Sequence, residues 1–163
     1  MRKSFLYLPI LFAFMLVVIS CGKKATPEPT VAEKLVKTWS VNIAKHDGTE
    51  VYKKGSTTGS SQGYVNYRLT LGTLTNGTGT ASLTTLDGTS FTGNWALTSS
   101  DKVITLSNLK SGSGQTPTGS NPVGTIVYNI TSLAVNSTDV TIETAQKDLK
   151  AGNTTVNLQL VNP

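Results

Sequence analysis

The side chains that could do chemistry are few and lie far apart along this 163-residue chain. The one histidine, His46, precedes Asp47-Gly48, a pair typical of hairpin turns. A catalytic base needs a nucleophile and an orienting group held beside it, and a solvated turn supplies neither. Asp87 and Asp101 also lie in predicted turns, where aspartate commonly bonds its own backbone. We therefore predict no catalytic centre, no metal site and no cofactor.

The single cysteine, Cys21, follows a basic start and an apolar run of residues 5–19. This layout is typical of a secretory signal peptide, and the run is shorter than the roughly 20 residues that span a bilayer. The segment VISC (18–21) resembles the lipobox of bacterial lipoproteins. The resemblance implies that residues 1–20 are a signal peptide and that Cys21 is the lipid attachment site, carrying a diacylglycerol and usually a further acyl chain such as palmitate. The alternative is an ordinary secreted protein with an unpaired thiol.

Residues 21–30 are predicted to be a lipidated tether, because proline and charge leave it no apolar face. In lipoproteins of the Bacteroidota, an acidic run after the cysteine resembles a surface-export signal, and this chain has Lys23 and Lys24 there instead. We therefore expect an anchor in the outer membrane facing the periplasm, with surface exposure left open. Without the signal peptide, 12 basic and 9 acidic residues remain. The lysines are scattered, so no nucleic-acid partner is expected.

Residues 31–163 predict one all-β domain. Thr30 to Glu33 form a T-x-x-E capping box, which predicts a short helix through Val36. Apolar residues then alternate with polar ones, as in Trp39 to Ile43 and in a longer predicted strand at 65–71. Turn signals separate about eight strands, and residues 110–122 predict an exposed, mobile loop. The pattern favours an up-and-down antiparallel barrel of about eight strands, with a β-sandwich as the alternative.

Four segments resemble lipocalin-like domains of Bacteroidota lipoproteins. They are KLVKTWSV (34–41), LTLGTLTNGTGTASL (69–83), FTGNWAL (91–97) and YNITSLAVNSTDVTIE (128–143). In that family the first helix plugs a barrel and a tryptophan, here Trp39, packs beneath it. Lys37 stands where the family usually has glycine, whereas Gly93 and Trp95 keep the Gly-x-Trp spacing. The resemblance spans residues 35–160 and implies an eight-stranded calyx that can hold a small apolar ligand.

Five aromatic residues fall on inward positions of the predicted strands, and they are the candidate pocket or core residues: Trp39, Tyr67, Phe91, Trp95 and Tyr128. They could line a ligand pocket or fill a small barrel, and their size favours filling. Arg68 could anchor a ligand carboxylate at the barrel mouth, but the alternation favours an outward position.

Two functions therefore stay open. The first is a non-catalytic, lipid-anchored protein of the cell envelope whose lipocalin-like domain binds a small hydrophobic ligand. The second is a structural or protein-interaction module with a filled barrel, which contacts another envelope protein through loops such as residues 110–122. In both cases the lipid at the N-terminus makes the membrane a partner.

Overall fold

The computed structural model describes residues 27–59, 61–120 and 122–163. The predicted signal peptide, the predicted lipid site Cys21 and the first part of the tether (21–26) lie outside the described residues. Within the described part of the chain, no helix combines the length and the apolar character that a membrane crossing requires.

The described residues form one short helix and nine strands. The helix is α1 (Val31–Leu35), and a single turn of 3-10 helix (Gln62–Val65) lies between the second and third strands. The strands are β1 (Thr38–His46), β2 (Thr49–Lys53), β3 (Arg68–Leu71), β4 (Gly79–Thr84), β5 (Ser90–Thr98), β6 (Val103–Ser111), β7 (Ile126–Leu133), β8 (Asp139–Thr144) and β9 (Val156–Val161).

Eight of the strands close into an antiparallel barrel. Each strand from β3 to β9 pairs with the next, and β1 pairs with both β3 and β9, which joins the two ends of the sheet. The extra strand, β2, pairs with the second half of β1, while β3 pairs with the first half. The predicted up-and-down barrel of eight strands is confirmed, and the sandwich alternative is wrong.

Helix α1 begins with the predicted capping box. The amide of Glu33 donates to Oγ1 of Thr30 at 3.2 Å, and the amide of Thr30 donates to Oε2 of Glu33 at 2.7 Å. These bonds satisfy two amides that the first turn of a helix leaves without partners. The helix ends at Leu35, which is completely buried and leads directly into β1.

Two details of the predicted strand pattern are wrong. Ile43 was expected to face inward, but the register of β1 against β9 shifts between Val41 and Ile43, so Ala44 is buried instead. Such a bulge inserts one residue and reverses the alternation beyond it. The predicted strand at 65–71 begins only at Arg68, and Val65 is 57% exposed in the 3-10 helix. The segments 54–59 and 61–67 lie outside the sheet, and Asn66 donates to the carbonyl of Leu86 in the β4–β5 turn.

The barrel has two unlike ends. The closed end contains α1 and the connections 72–78, 99–102 and 134–138. The mouth end contains the connections 47–48, 85–89 and 145–155 and the described parts of two longer connections, 54–59 with 61–67 and 112–120 with 122–125. The loop predicted at 110–122 belongs to the mouth end. Because β6 continues through Ser111, this loop starts two residues later than expected, and its Pro117 is buried.

Candidate functional site

The closed end of the barrel is filled around Trp39. This side chain is completely buried, and its Nε1 donates to the carbonyl of Leu35 at 3.0 Å. Lys37, which replaces the glycine usual in the resembled family, places its Nζ 5.1 Å from the centre of the Trp39 ring. The same Nζ donates to the carbonyl of Ser137 at 2.7 Å. Trp39 is therefore a packing residue whose polar atom is satisfied by backbone.

Trp95 is held in the same manner, and a glycine makes room for it. Its Nε1 donates to the carbonyl of Gly72 at 2.8 Å, and Gly79 lies opposite it on β4. A methyl group at Gly79 would collide with Nε1 of Trp95 and lie 2.7 Å from the Gly72 oxygen. Gly93 serves another purpose, because a side chain there would meet the carbonyl of Ser107 where the β5–β6 register shifts. The Gly-x-Trp pair thus combines a bulge with a core tryptophan.

A cavity of about 50 Å³ lies at the mouth end, and we call it the mouth cavity. Apolar side chains and three tyrosines line it, together with two threonines and two charged residues: Tyr64, Tyr67, Leu83, Thr85, Leu86, Tyr128, Thr144, Asp148, Lys150, Val156 and Leu158. Pockets for drug-sized ligands measure roughly 300 Å³ or more. The mouth cavity therefore suits a ligand of a few heavy atoms, or one end of a longer molecule.

The three tyrosine hydroxyls of the mouth cavity are paired and neutral. Those of Tyr67 and Tyr128 lie 3.2 Å apart, and that of Tyr64 lies 2.7 Å from Nε2 of His46. Burial raises the pKa of Tyr128 to about 12 and raises the pKa values of Tyr64 and Tyr67 as well. At neutral pH these phenols offer hydrogen bonds without charge.

His46 was expected in a solvated turn, and that expectation is wrong. It ends β1 and is half-buried because the ring of Tyr64 packs against it, with ring centres 5.8 Å apart. A nucleophile activated by a base needs a lowered pKa or a readily removed proton. Burial shifts the pKa of Tyr64 upward, which is the opposite direction. The pair therefore suits structure and hydrogen bonding better than nucleophilic chemistry.

An ion pair joins two loops at the rim of the mouth cavity. Nζ of Lys150 lies 2.8 Å from Oδ2 of Asp87, on the β4–β5 turn. The other oxygen of Asp87 accepts hydrogen bonds from Thr85 Oγ1 and the amide of Thr89. These contacts, chiefly the one with Lys150, hold the pKa of Asp87 well below its usual range. The ion pair thus ties the loop 145–155 to the far side of the mouth.

The predicted site residues separate into two groups. Tyr67 and Tyr128 line the mouth cavity, whereas Trp39, Phe91 and Trp95 are buried in the core and do not line it. Whether any of them contacts a ligand stays a prediction.

Arg68 is exposed at the start of β3, and its guanidinium donates to the carbonyls of Val65 and Tyr67. That is the outward position that the alternation favoured.

Sequence reasoning missed Tyr64, His46 and Asp148 as parts of the mouth. Of these three residues, only Tyr64 could have been predicted from sequence. It directly follows the glycine- and serine-rich segment 54–63, and an aromatic side chain of that size is usually at least partly buried. Asp148 had no such signal, because it reaches the mouth only through the folding of the loop 145–155.

Comparisons with known proteins give structural neighbours only. No family model and no curated protein matches the chain. A lipocalin-like protein from Bacteroides uniformis has a TM-score of 0.44 at 14% identity, with 80% of this chain and 99% of that chain covered. An uncharacterized protein from Bacteroides eggerthii has a TM-score of 0.39 at 9% identity, with 79% and 99% covered. The barrel architecture described above rests on the strand pairing of this chain.

Proposed function

We propose that this chain is a non-catalytic, lipid-anchored protein of the cell envelope that binds a small ligand in the mouth cavity. The binding proposal rests on the difference between the filled closed end of the barrel and the mouth end, which contains the mouth cavity. At the mouth end, three neutral phenols and an apolar floor that includes Leu83 and Leu158 surround the mouth cavity, whereas Trp39 and Trp95 fill the closed end. Small-molecule sites combine mostly apolar walls with a few fixed polar groups, which is the composition found here.

The anchor proposal rests on the sequence around Cys21. A basic start, an apolar run and a small residue before the only cysteine are the features of a lipoprotein signal. Two or more acyl chains give stable membrane attachment, since each buried methylene contributes about 0.8 kcal/mol. We expect the mature protein to begin at Cys21 and to lie in the outer membrane facing the periplasm.

Native mass spectrometry of the chain, produced with its leader and purified in detergent, tests the binding proposal. We expect a co-purified small molecule that is lost in Leu86→Trp, because the larger side chain would occupy the mouth cavity. Val135→Trp is the matched control, since Val135 is 79% exposed in a turn at the closed end. If the bound mass persists in Leu86→Trp, the ligand does not lie in the mouth cavity.

Labelling with radioactive palmitate tests the anchor. The wild-type chain is expected to incorporate label and to require detergent for release from membranes, and Cys21→Ala is expected to lose both properties. Incorporation of label into Cys21→Ala would contradict the lipid attachment.

A second candidate function is docking of an envelope protein on the mouth loops. It is favoured by three exposed apolar side chains on these loops, Val65, Val123 and Leu149, which are 57%, 76% and 60% exposed. Replacing all three with serine should abolish chemical cross-linking to such a partner in intact cells, while the Leu86→Trp variant should still cross-link. The reverse result would favour the ligand.

A further inference from the structure

The mouth cavity is lined by one negative side chain, Asp148, and one positive side chain, Lys150. Of these two, only Lys150 has an ion-pair partner among the described residues. Nζ of Lys150 is 2.8 Å from Asp87, which does not line the cavity. Asp87 is itself fixed by the hydroxyl of Thr85 and the amide of Thr89. The positive charge of Lys150 is therefore already balanced from outside the cavity.

Asp148 holds its carboxylate in a fixed direction at the rim. Its Oδ1 accepts hydrogen bonds from the amides of Lys150 at 2.8 Å and Ala151 at 3.2 Å. Within residues 27–59, 61–120 and 122–163, its Oδ2 accepts no hydrogen bond. The carboxylate is half-buried, so its charge is only partly screened by water.

The field of Asp148 reaches all three phenols. After burial, which is the larger cause, the negative charge of Asp148 adds to the rise in the pKa values of Tyr64, Tyr67 and Tyr128. The three groups keep their protons and present oxygen acceptors and aromatic rings. Such rings attract cations, and a carboxylate nearby strengthens the attraction.

We propose that the mouth cavity prefers a ligand with a primary ammonium head group on a short apolar body over one with a carboxylate. This inference rests on the proposed function, namely that the cavity binds a small ligand. The ammonium group carries three donors, and the phenol oxygens and Oδ2 of Asp148 are acceptors. The apolar body would contact Leu83, Val156 and Leu158.

An anionic head group would be disfavoured in the mouth cavity. It would lie beside Asp148, and like charges in a partly buried site repel strongly. Its only cationic partner in the cavity lining would be Lys150, which it would have to take from Asp87. A neutral alcohol avoids the repulsion but forms no charge-assisted hydrogen bond.

Three probes of four carbon atoms each test the proposal: butylammonium, 1-butanol and butyrate. Each is titrated at neutral pH into the full-length product purified in detergent, with side-chain methyl chemical shifts in nuclear magnetic resonance as the readout. We expect butylammonium to bind about tenfold more tightly than butyrate and more tightly than 1-butanol. The shifted methyl groups should belong to leucine and valine residues of the mouth cavity.

Asp148→Asn should remove the preference for butylammonium over 1-butanol. The amide oxygen of asparagine can still accept from the amides of Lys150 and Ala151, so the loop keeps its hydrogen bonds. Asp101→Asn is the matched control, since Asp101 is an exposed turn residue at the closed end. Binding of butyrate as tight as that of butylammonium would overturn the inference, even in the wild-type chain alone.

The outcomes separate the two proposals. If a probe binds in the mouth cavity but the alcohol or the acid is preferred, the head-group inference fails and the proposed function stands. If none of the three probes shifts the mouth residues, both fail. If Asp101→Asn abolishes the preference as Asp148→Asn does, the effect comes from net charge and the inference fails.

Discussion

The two ends of this barrel cover its interior in different ways. At the closed end a helix and two tryptophans fill the interior, and each indole N–H donates to a backbone carbonyl. At the mouth end, loops cover the interior, and the buried hydroxyls bond to other side chains. The difference suggests that stability is concentrated at the closed end, while the mouth end keeps the space and the polar groups that the proposed ligand site requires.

The largest effect should come from Trp39→Ala. It removes a completely buried side chain next to Leu35, and such core truncations cost about 3–5 kcal/mol. Denaturant unfolding followed by circular dichroism measures the change in free energy of unfolding. Tyr128→Phe is the mouth-end counterpart and should cost about 1 kcal/mol, because it removes one hydroxyl. Equal losses in free energy of unfolding for Trp39→Ala and Tyr128→Phe would contradict the view that stability is concentrated at the closed end.

Gly79→Ala should destabilise the closed end by about 1–3 kcal/mol, since overpacking forces backbone or ring to shift. The added methyl group would collide with Trp95 and with the carbonyl of Gly72. Gly112→Ala at the mouth end is the control, because nothing lies within 4 Å of the added atom. It should change stability by less than about 0.5 kcal/mol. The midpoints of thermal unfolding of Gly79→Ala and Gly112→Ala, measured under the same conditions, test this difference in stability.

Alkaline pH should weaken the mouth end. The pKa of Tyr128 is raised by burial from 10.0 to about 12, so the unfolded chain loses this proton before the folded one does. The stabilisation is complete below pH 10 and is lost as the pH rises toward 12, by about 2 kcal/mol at the upper limit. Denaturant unfolding between pH 8 and 12 should show a flatter profile for Tyr128→Phe. A profile unchanged by that substitution would contradict burial as the cause.

The smallest effect should follow from Lys150→Gln. The side chains of Lys150 and Asp87 are 31% and 52% exposed, and such ion pairs contribute about 0.2–1 kcal/mol. We expect amide hydrogen exchange to accelerate in the loops 85–89 and 145–155, with no change in α1. In the wild-type chain the stability that the ion pair contributes is complete above the ordinary pKa of aspartate, and it declines as the pH falls from there through the lowered folded-state pKa of Asp87. Faster amide hydrogen exchange throughout the barrel would contradict this prediction, because it would mean that the ion pair of Lys150 and Asp87 stabilises the whole fold.

The closed end was largely predictable from sequence. The capping box at Thr30, the alternation around Trp39 and the turn signals between strands depend on neighbours in sequence, and local physics decides them. Gly79 was not recognised as the residue that admits Trp95. The two residues lie on different strands, and only the register brings them together.

The mouth end was much less predictable. Its polar groups come from separate connections: His46 ends β1, Tyr64 belongs to a 3-10 helix, and Asp148 lies in the loop 145–155. No period in the sequence links them, because irregular loops follow contacts distant in sequence. Tyr67 and Tyr128 were expected inside from alternation, but their hydroxyl pair depends on the barrel closing.

The position of α1 has a consequence for how the molecule would stand on a membrane. Glu28 is bound to Lys34 at 2.9 Å, so the described part of the tether joins the domain at the closed end. Seven residues from Cys21 to Pro27 reach at most roughly 25 Å. A lipid on Cys21 would therefore hold the closed end near the bilayer and point the mouth toward the aqueous compartment. In this orientation the proposed ligand site would face the surrounding fluid, and it could reach the membrane that holds the lipid only if the barrel turned over on its tether.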